Sequence, residues 1–199
     1  MNFYQIVLPI GTLLYFFLVF VFRSVVLWRQ TGVNPFVFGK TQKPHDYIGR
    51  VYKVMVLVTW ISISVYSFFP KLYHYLLPVW YLEFENLQFA GLILLIGSFI
   101  WTSIGQYQMS KSWRIGIDYD EKTDLVNQGL FKYSRNPIFL GVLISYLGTF
   151  LIIPNALSFA IMLLTFIAIQ FQVRMEEEYL TSIHGKNYLS YQLKVRRWL

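Results

Sequence analysis

The sequence predicts an all-α protein that crosses a membrane several times. Only 14% of its 199 residues are charged, whereas a soluble domain carries about 25%. Four stretches contain no Asp, Glu, Lys or Arg, and each is long enough for at least one helical span. No linker divides the chain. We therefore expect a single domain, residues 1–199, with about five spans, a C-terminal helical hairpin and a cytoplasmic tail helix.

The uncharged stretches are residues 3–22, 54–70, 86–110 and 136–173. The last has 38 residues, which as one helix would measure about 57 Å, nearly twice the ~30 Å apolar thickness of a bilayer. Pro154 lies near its middle and disfavours helix, so this stretch predicts two helices joined by a tight turn. Residues 72–82 are apolar but too few for a span, which leaves a membrane-surface loop or a re-entrant segment.

The basic residues predict the orientation. Fifteen of the 17 Lys and Arg residues lie between the first two spans, between the third and fourth, or in the C-terminal tail. The positive-inside rule then places the N-terminus outside and the C-terminus in the cytoplasm. Because these residues flank spans, we expect no nucleic-acid partner. The chain has no cysteine, and its His, Asp and Glu residues lack metal-ligand spacing, so we expect no metal.

Two polar clusters flank the predicted hairpin and are expected to meet on one side of the membrane. The first ends at Asn136 and Pro137, where Pro137 suits the first residue of a helix and Asn136 its cap. Free amides at such a helix start favour a bound carboxylate. The second contains Glu176, Glu177 and Glu178. Carboxylates at a helix C-terminus oppose the helix dipole, which indicates either a solvated helix or one carboxylate that binds a cation or an amine.

Both clusters carry a recognisable pattern. Its residues are Leu125, Val126, Gly129, Phe131, Arg135, Asn136, Pro137 and Phe139, followed by Glu176, Glu177, Leu180, Gly185, Tyr188 and Tyr191. This pattern resembles the membrane methyltransferases that include isoprenylcysteine carboxyl methyltransferase and the phospholipid N-methyltransferases. Residues 112–116 and 196–198 are similar to bacterial members, which implies a multi-pass protein of a bacterial inner membrane.

The resemblance implies that region 112–199 binds S-adenosylmethionine and that the methyl acceptor is lipidic and enters from the bilayer. The implied cofactor residues are Thr123, Asp124, Leu125, Val126, Phe131, Asn136, Pro137, Ile138, Phe139 and Glu176. Phe131 suits stacking on adenine, the amides at the helix start suit the methionyl carboxylate, and Glu176 suits its ammonium or the ribose hydroxyls.

For catalysis, we expect Glu177 to accept a proton if the methyl acceptor is an amine, with Arg174 as a second catalytic candidate. The prenylcysteine enzymes have an arginine where this chain has Gln172, the predicted substrate-binding residue. Arg174 lies about 200° further around the helix and does not simply replace it. The alternatives that remain are a phospholipid-amine or small-hydrophobe methyltransferase, a nicotinamide-dependent enzyme similar to sterol reductases, and a non-catalytic membrane protein.

Overall fold

The computed structural model describes residues 2–39, 44–119 and 122–199. Its main helices are α1 (Phe3–Thr31), α2 (Pro44–Phe68), α3 (Glu85–Met109), α4 (Pro137–Ile152), α5 (Ala156–His184) and α6 (Lys186–Lys194). Within the described ranges, α1, α2, α3 and α5 are long and apolar enough to cross a membrane. Helix α4 is a shorter apolar helix of 16 residues. The predicted multi-pass helical fold is confirmed.

Helix α1 is longer than its uncharged stretch. It continues through Arg23 to Thr31, because a charge ends an uncharged run without ending a helix. The Arg23 guanidinium is accommodated by α3, where its Nη2 donates to the carbonyls of Gln106 (3.2 Å) and Ser110 (2.7 Å). Residues Phe17–Phe22 form a π-helical stretch inside α1, a rare local geometry that is frequent at functional sites.

The turn between α4 and α5 falls where the sequence predicted it. Helix α4 ends at Ile152 and α5 begins at Ala156. Asn155 caps α5, since its side chain accepts a hydrogen bond from the amide of Ser158 (2.8 Å).

Glycines bring α3 and α4 into close contact. A Cβ atom on Gly148 would lie 2.7 Å from the carbonyl oxygen of Gly91, and one on Gly141 would lie 2.1 Å from Oγ1 of Thr102. Small residues let the backbones of membrane helices approach in this way. The Trp101 indole also donates to the carbonyl of Pro137 (2.9 Å), so α3 fixes the position at which α4 begins.

One end of the bundle is closed by apolar packing. Leu8, Ile63, Leu95, Ile152 and Ile153 are buried there in one cluster. Residues 72–82 form short helical turns rather than one continuous helix. They lie at the same end of the bundle, because the amide of Val79 donates to the carbonyl of Pro154 and the amide of Ala156 donates to the carbonyl of Leu77. This segment therefore covers the α4–α5 turn. Next to this cluster the helices separate around a cavity, and Ile63 and Leu95 belong to both the cluster and the cavity wall.

Candidate functional site

The cavity lies between α1, α2, α3, α4 and α5. Its volume of about 720 Å³ is within the ~300–1,000 Å³ range of small-molecule sites. Its wall between the membrane helices is mostly apolar and includes Phe16, Phe20, Trp60, Ile63 and Ile169. Phe20 belongs to the π-helical stretch. The sequence did not indicate these residues, because each looks like an ordinary apolar residue of a membrane helix.

Two loops pair beside the cavity. The amide of Val37 donates to the carbonyl of Ile115 (3.1 Å), and the amide of Ile115 donates to the carbonyl of Pro35 (2.8 Å). Phe36 and Trp113 from these loops line the cavity. The contact joins segments almost 80 residues apart in the chain, so no local pattern could reveal it.

All ten residues predicted to hold the cofactor lie on the cavity wall. They are Thr123, Asp124, Leu125, Val126, Phe131, Asn136, Pro137, Ile138, Phe139 and Glu176. Tyr188 and Tyr191 of α6 join them. The two polar clusters that the sequence placed on either side of the hairpin thus face one space.

Asn136 is oriented differently from the prediction. It occupies the cap position of α4, yet no side-chain cap bond forms there. Its Nδ2 instead donates to the carbonyl of Arg197 (3.2 Å), because the C-terminal tail passes beside it. The amides of Ile138 and Phe139 at the start of α4 are left without a side-chain cap, and both residues line the cavity.

Gln172 and Glu176 form a pair on the cavity wall. The fully buried Gln172 donates from Nε2 to Oε1 of the half-buried Glu176 (2.9 Å). Oε1 of Gln172 is buried and has no hydrogen-bond partner among the described residues. Thr165 and Tyr52 also line the cavity, and their hydroxyls are likewise buried without a hydrogen-bond partner among the described residues. Buried polar atoms are normally paired, so these three atoms are exceptions on the described part of the cavity wall.

Glu177 points away from the cavity into two ion pairs. Its Oε1 accepts from Nη2 of Arg135 (2.7 Å) and its Oε2 from Nη2 of Arg197 (2.6 Å), and its side chain is 9% exposed. The hydrogen bond to Glu177 raises the pKa of the Arg197 guanidinium. We call Arg135, Glu177 and Arg197 the clamp. With both oxygens engaged by cations, Glu177 suits a positioning role better than the predicted role of proton acceptor.

Arg174 is exposed and does not line the cavity. Neither predicted catalytic residue therefore lies on the cavity wall. Consecutive helical residues point about 100° apart, so a carboxylate adjacent to Glu176 cannot share its direction.

The clamp holds the C-terminal tail against the start of α4. Nη1 of Arg135 donates to the carbonyls of Val195 (2.7 Å) and Gln192 (3.2 Å). The Tyr191 hydroxyl donates to the carbonyl of Phe131 (2.6 Å), and burial raises the pKa of Tyr191 to about 12. Apart from the resemblance at residues 196–198, no sequence pattern indicated that the last residues pack against this site.

Gly129 has a structural reason to be glycine. Its φ is +60°, and a Cβ atom would lie 2.3 Å from the side-chain amide of Gln108. That amide accepts a hydrogen bond from the backbone of Leu130 (2.7 Å). Gln108, unnoticed in the sequence, thereby ties the loop that carries Phe131 to α3. Among the described residues, no group of three or more His, Asp or Glu side chains is arranged to hold a metal.

Comparison with known proteins identifies the family. A family model described as phospholipid methyltransferase matches residues 87–187, about half of the chain. The solved structure of the eukaryotic intramembrane Ras methyltransferase ICMT (isoprenylcysteine carboxyl methyltransferase) has the same fold, with a TM-score of 0.67 and 19% identity. That similarity covers 93% of this chain and 62% of the ICMT chain. No curated protein sequence matches. The chain therefore belongs to the phospholipid methyltransferase family and has the fold of an integral membrane methyltransferase.

Proposed function

We propose that the protein transfers a methyl group from S-adenosylmethionine to a lipidic acceptor. The observation that carries this proposal is the continuity of the cavity, which joins all ten predicted cofactor residues to an apolar wall between membrane helices. The polar cofactor occupies the end at which α4 begins. The acceptor occupies the part lined by α1, α2 and the middle of α5, where apolar side chains suit a lipid chain.

The residues at the polar end fit this cofactor. The uncapped amides of Ile138 and Phe139 suit its carboxylate, because the helix dipole and the free N–H groups both favour an anion. The Glu176 carboxylate suits its ammonium or ribose hydroxyls. Phe131, which is 7% exposed, offers an apolar face to adenine.

When bound, S-adenosylmethionine supplies an electrophilic methyl group. The protein's contribution is to hold both reactants in line and to exclude water from the space between them. Glu176 and Asp124 are carboxylates on the cavity wall, so they are better placed than Glu177 to take a proton from an amine acceptor.

The unpaired oxygen of Gln172 favours an acceptor that donates a hydrogen bond. A carboxylate acceptor would face Oε1 of Gln172 and the Glu176 carboxylate, both of which only accept. The cations on the wall do not readily compensate. Arg114 is paired with Asp118 (3.2 Å) and Arg135 with Glu177, and Lys53 lies over the Phe36 ring (5.2 Å), among the paired loops. We therefore favour a lipid amine or a hydroxyl-bearing amphiphile over a prenylcysteine carboxylate.

The first experiment is calorimetric titration of the purified protein with S-adenosylmethionine and with a reduced nicotinamide cofactor. We expect only the former to bind. Binding of the nicotinamide cofactor alone would overturn the proposal in favour of the reductase alternative. Binding of neither would indicate a non-catalytic protein.

The second experiment identifies the acceptor. Transfer of labelled methyl is compared between phosphatidylethanolamine and a prenylcysteine in mixed micelles, for the wild type and for Gln172→Arg. We expect the wild type to label the amine and the variant to lose that preference. A wild type that labels only the carboxylate would contradict the assignment of Gln172.

A further inference from the structure

The outer face of α6 carries exposed apolar side chains. Its inner face carries Tyr188 and Tyr191, which are buried and line the cavity. On the outer side, Leu189 is 47% exposed and Leu193 is 90% exposed. Residues four apart lie on the same side of a helix, so these leucines form one apolar strip. Leu199 in the following tail is also 63% exposed.

The same region carries charge of a single sign. After Glu178 the sequence contains no Asp or Glu, and Lys186, Lys194 and Arg196 are exposed. Arg197 is engaged in the clamp. Lys132, in the segment bonded to α6, is exposed too. The leucine strip therefore lies among basic side chains that no described carboxylate in this tail neutralises.

Contacts of α6 place this face at the edge of the membrane-spanning part. The Tyr191 hydroxyl bonds to Phe131, and Arg135 bonds to the carbonyl of Val195 just after α6. Phe131 and Arg135 lie within six residues of Pro137, the first residue of the apolar helix α4. The C-terminal end of α6 therefore lies close to the start of the apolar helix α4.

We infer that α6 and the tail bind the surface of an anionic bilayer. Exposed leucines beside lysines and arginines are typical of interfacial helices, in which the apolar side chains enter the boundary of the acyl region and the basic ones meet lipid phosphates. Helix α6 follows directly after the membrane helix α5 in the chain, which keeps it close to the lipid surface. This contact does not depend on the proposed methyl transfer.

The absence of cysteine makes the test direct. Leu193→Cys is labelled with an environment-sensitive fluorophore and reconstituted into vesicles of phosphatidylcholine, with or without a third of the lipid replaced by phosphatidylglycerol. We expect blue-shifted emission in the anionic vesicles and quenching by acyl-chain nitroxides about twofold or more above that in neutral vesicles. Ser182→Cys, on the exposed end of α5, is the control. Its label should show the emission of a water-exposed fluorophore in both vesicle types.

Charge reversal separates the basic residues from the leucines. Lys186→Glu combined with Lys194→Glu changes only exposed side chains and should abolish the additional quenching at position 193 in anionic vesicles. A label at 193 that reports water in both vesicle types would overturn the inference, as would equal quenching in both. Shielding that requires an added soluble protein would assign the face to a protein partner and would overturn it as well.

Discussion

Glu176 and Glu177 are consecutive residues of one helix, yet they belong to different regions of the molecule. Glu176 lies on the cavity wall with one neutral partner, Gln172. Glu177 lies in the clamp, where two guanidiniums hold it and the C-terminal tail in place. The comparison shows that a paired-glutamate motif can place one carboxylate on a cavity wall and the other in two ion pairs, because a step of one residue turns the side chain by about 100°.

The largest effect is expected from breaking the clamp. Glu177→Gln leaves Arg135 (side chain 11% exposed) and Arg197 (34% exposed) without a counter-charge, which should lower the free energy of unfolding by about 2 kcal/mol, less than for a fully buried pair. Thermal unfolding in detergent measures this loss. Glu178→Gln, at an exposed position, should leave stability unchanged. A stable Glu177→Gln that has lost only activity would instead support the proton-acceptor role.

Changing the cavity-wall carboxylate should affect binding rather than stability. Glu176→Gln should weaken binding of S-adenosylmethionine about tenfold, or ~1.4 kcal/mol, because the amide cannot balance an ammonium. Calorimetric titration measures this change, with Glu178→Gln again as the control. Unchanged affinity would show that the cofactor does not contact Glu176.

The hydrogen bond between Tyr191 of α6 and the backbone of Phe131 should contribute less to stability than the clamp does. Tyr191→Phe removes the hydroxyl that bonds to Phe131 and should lower stability by about 1 kcal/mol. Folded Tyr191 keeps its proton to a pKa of about 12, whereas an unfolded tyrosine loses it near pH ~10. The unfolded chain then binds fewer protons, so this stabilisation declines between these pH values. The free energies of unfolding of the wild type and of Tyr191→Phe should therefore converge as the pH rises from about 10 to about 12. A difference that stays constant over this range would contradict the raised pKa of Tyr191.

The smallest effect is expected in the acceptor part of the cavity. Thr165→Val removes a hydroxyl that has no hydrogen-bond partner among the described residues, so stability should not fall. If that hydroxyl bonds the acceptor, the acceptor KM should rise about threefold, ~0.6 kcal/mol, while S-adenosylmethionine affinity stays constant. Thr149→Val is the matched comparison, because the Thr149 hydroxyl already bonds to Ser145 (2.9 Å). Weaker cofactor binding in Thr165→Val would mean that the cofactor reaches deeper than proposed.

Much of the site was accessible from the sequence because its residues lie close to the two ends of one hairpin. Once Pro154 predicts a turn, residues 123–139 and Glu176 must emerge on the same side of the membrane. The N-terminal half was harder to interpret. Thr12, Tyr15 and Tyr52 line the cavity, but polar residues scattered along membrane helices do not show which face they occupy.

By itself, the sequence determined the membrane helices and the turn at Pro154, because hydrophobicity and backbone chemistry act locally along the chain. The set of predicted cofactor residues came from the family resemblance. Only the tertiary structure decided that Glu176 faces the cavity while Glu177 binds Arg135 and Arg197, and that the Asn136 side chain meets the tail rather than capping α4. Those outcomes depend on which distant side chains arrive at a given place. A carboxylate's role is set by its nearest charges and its access to the cavity, and both are properties of the packed molecule.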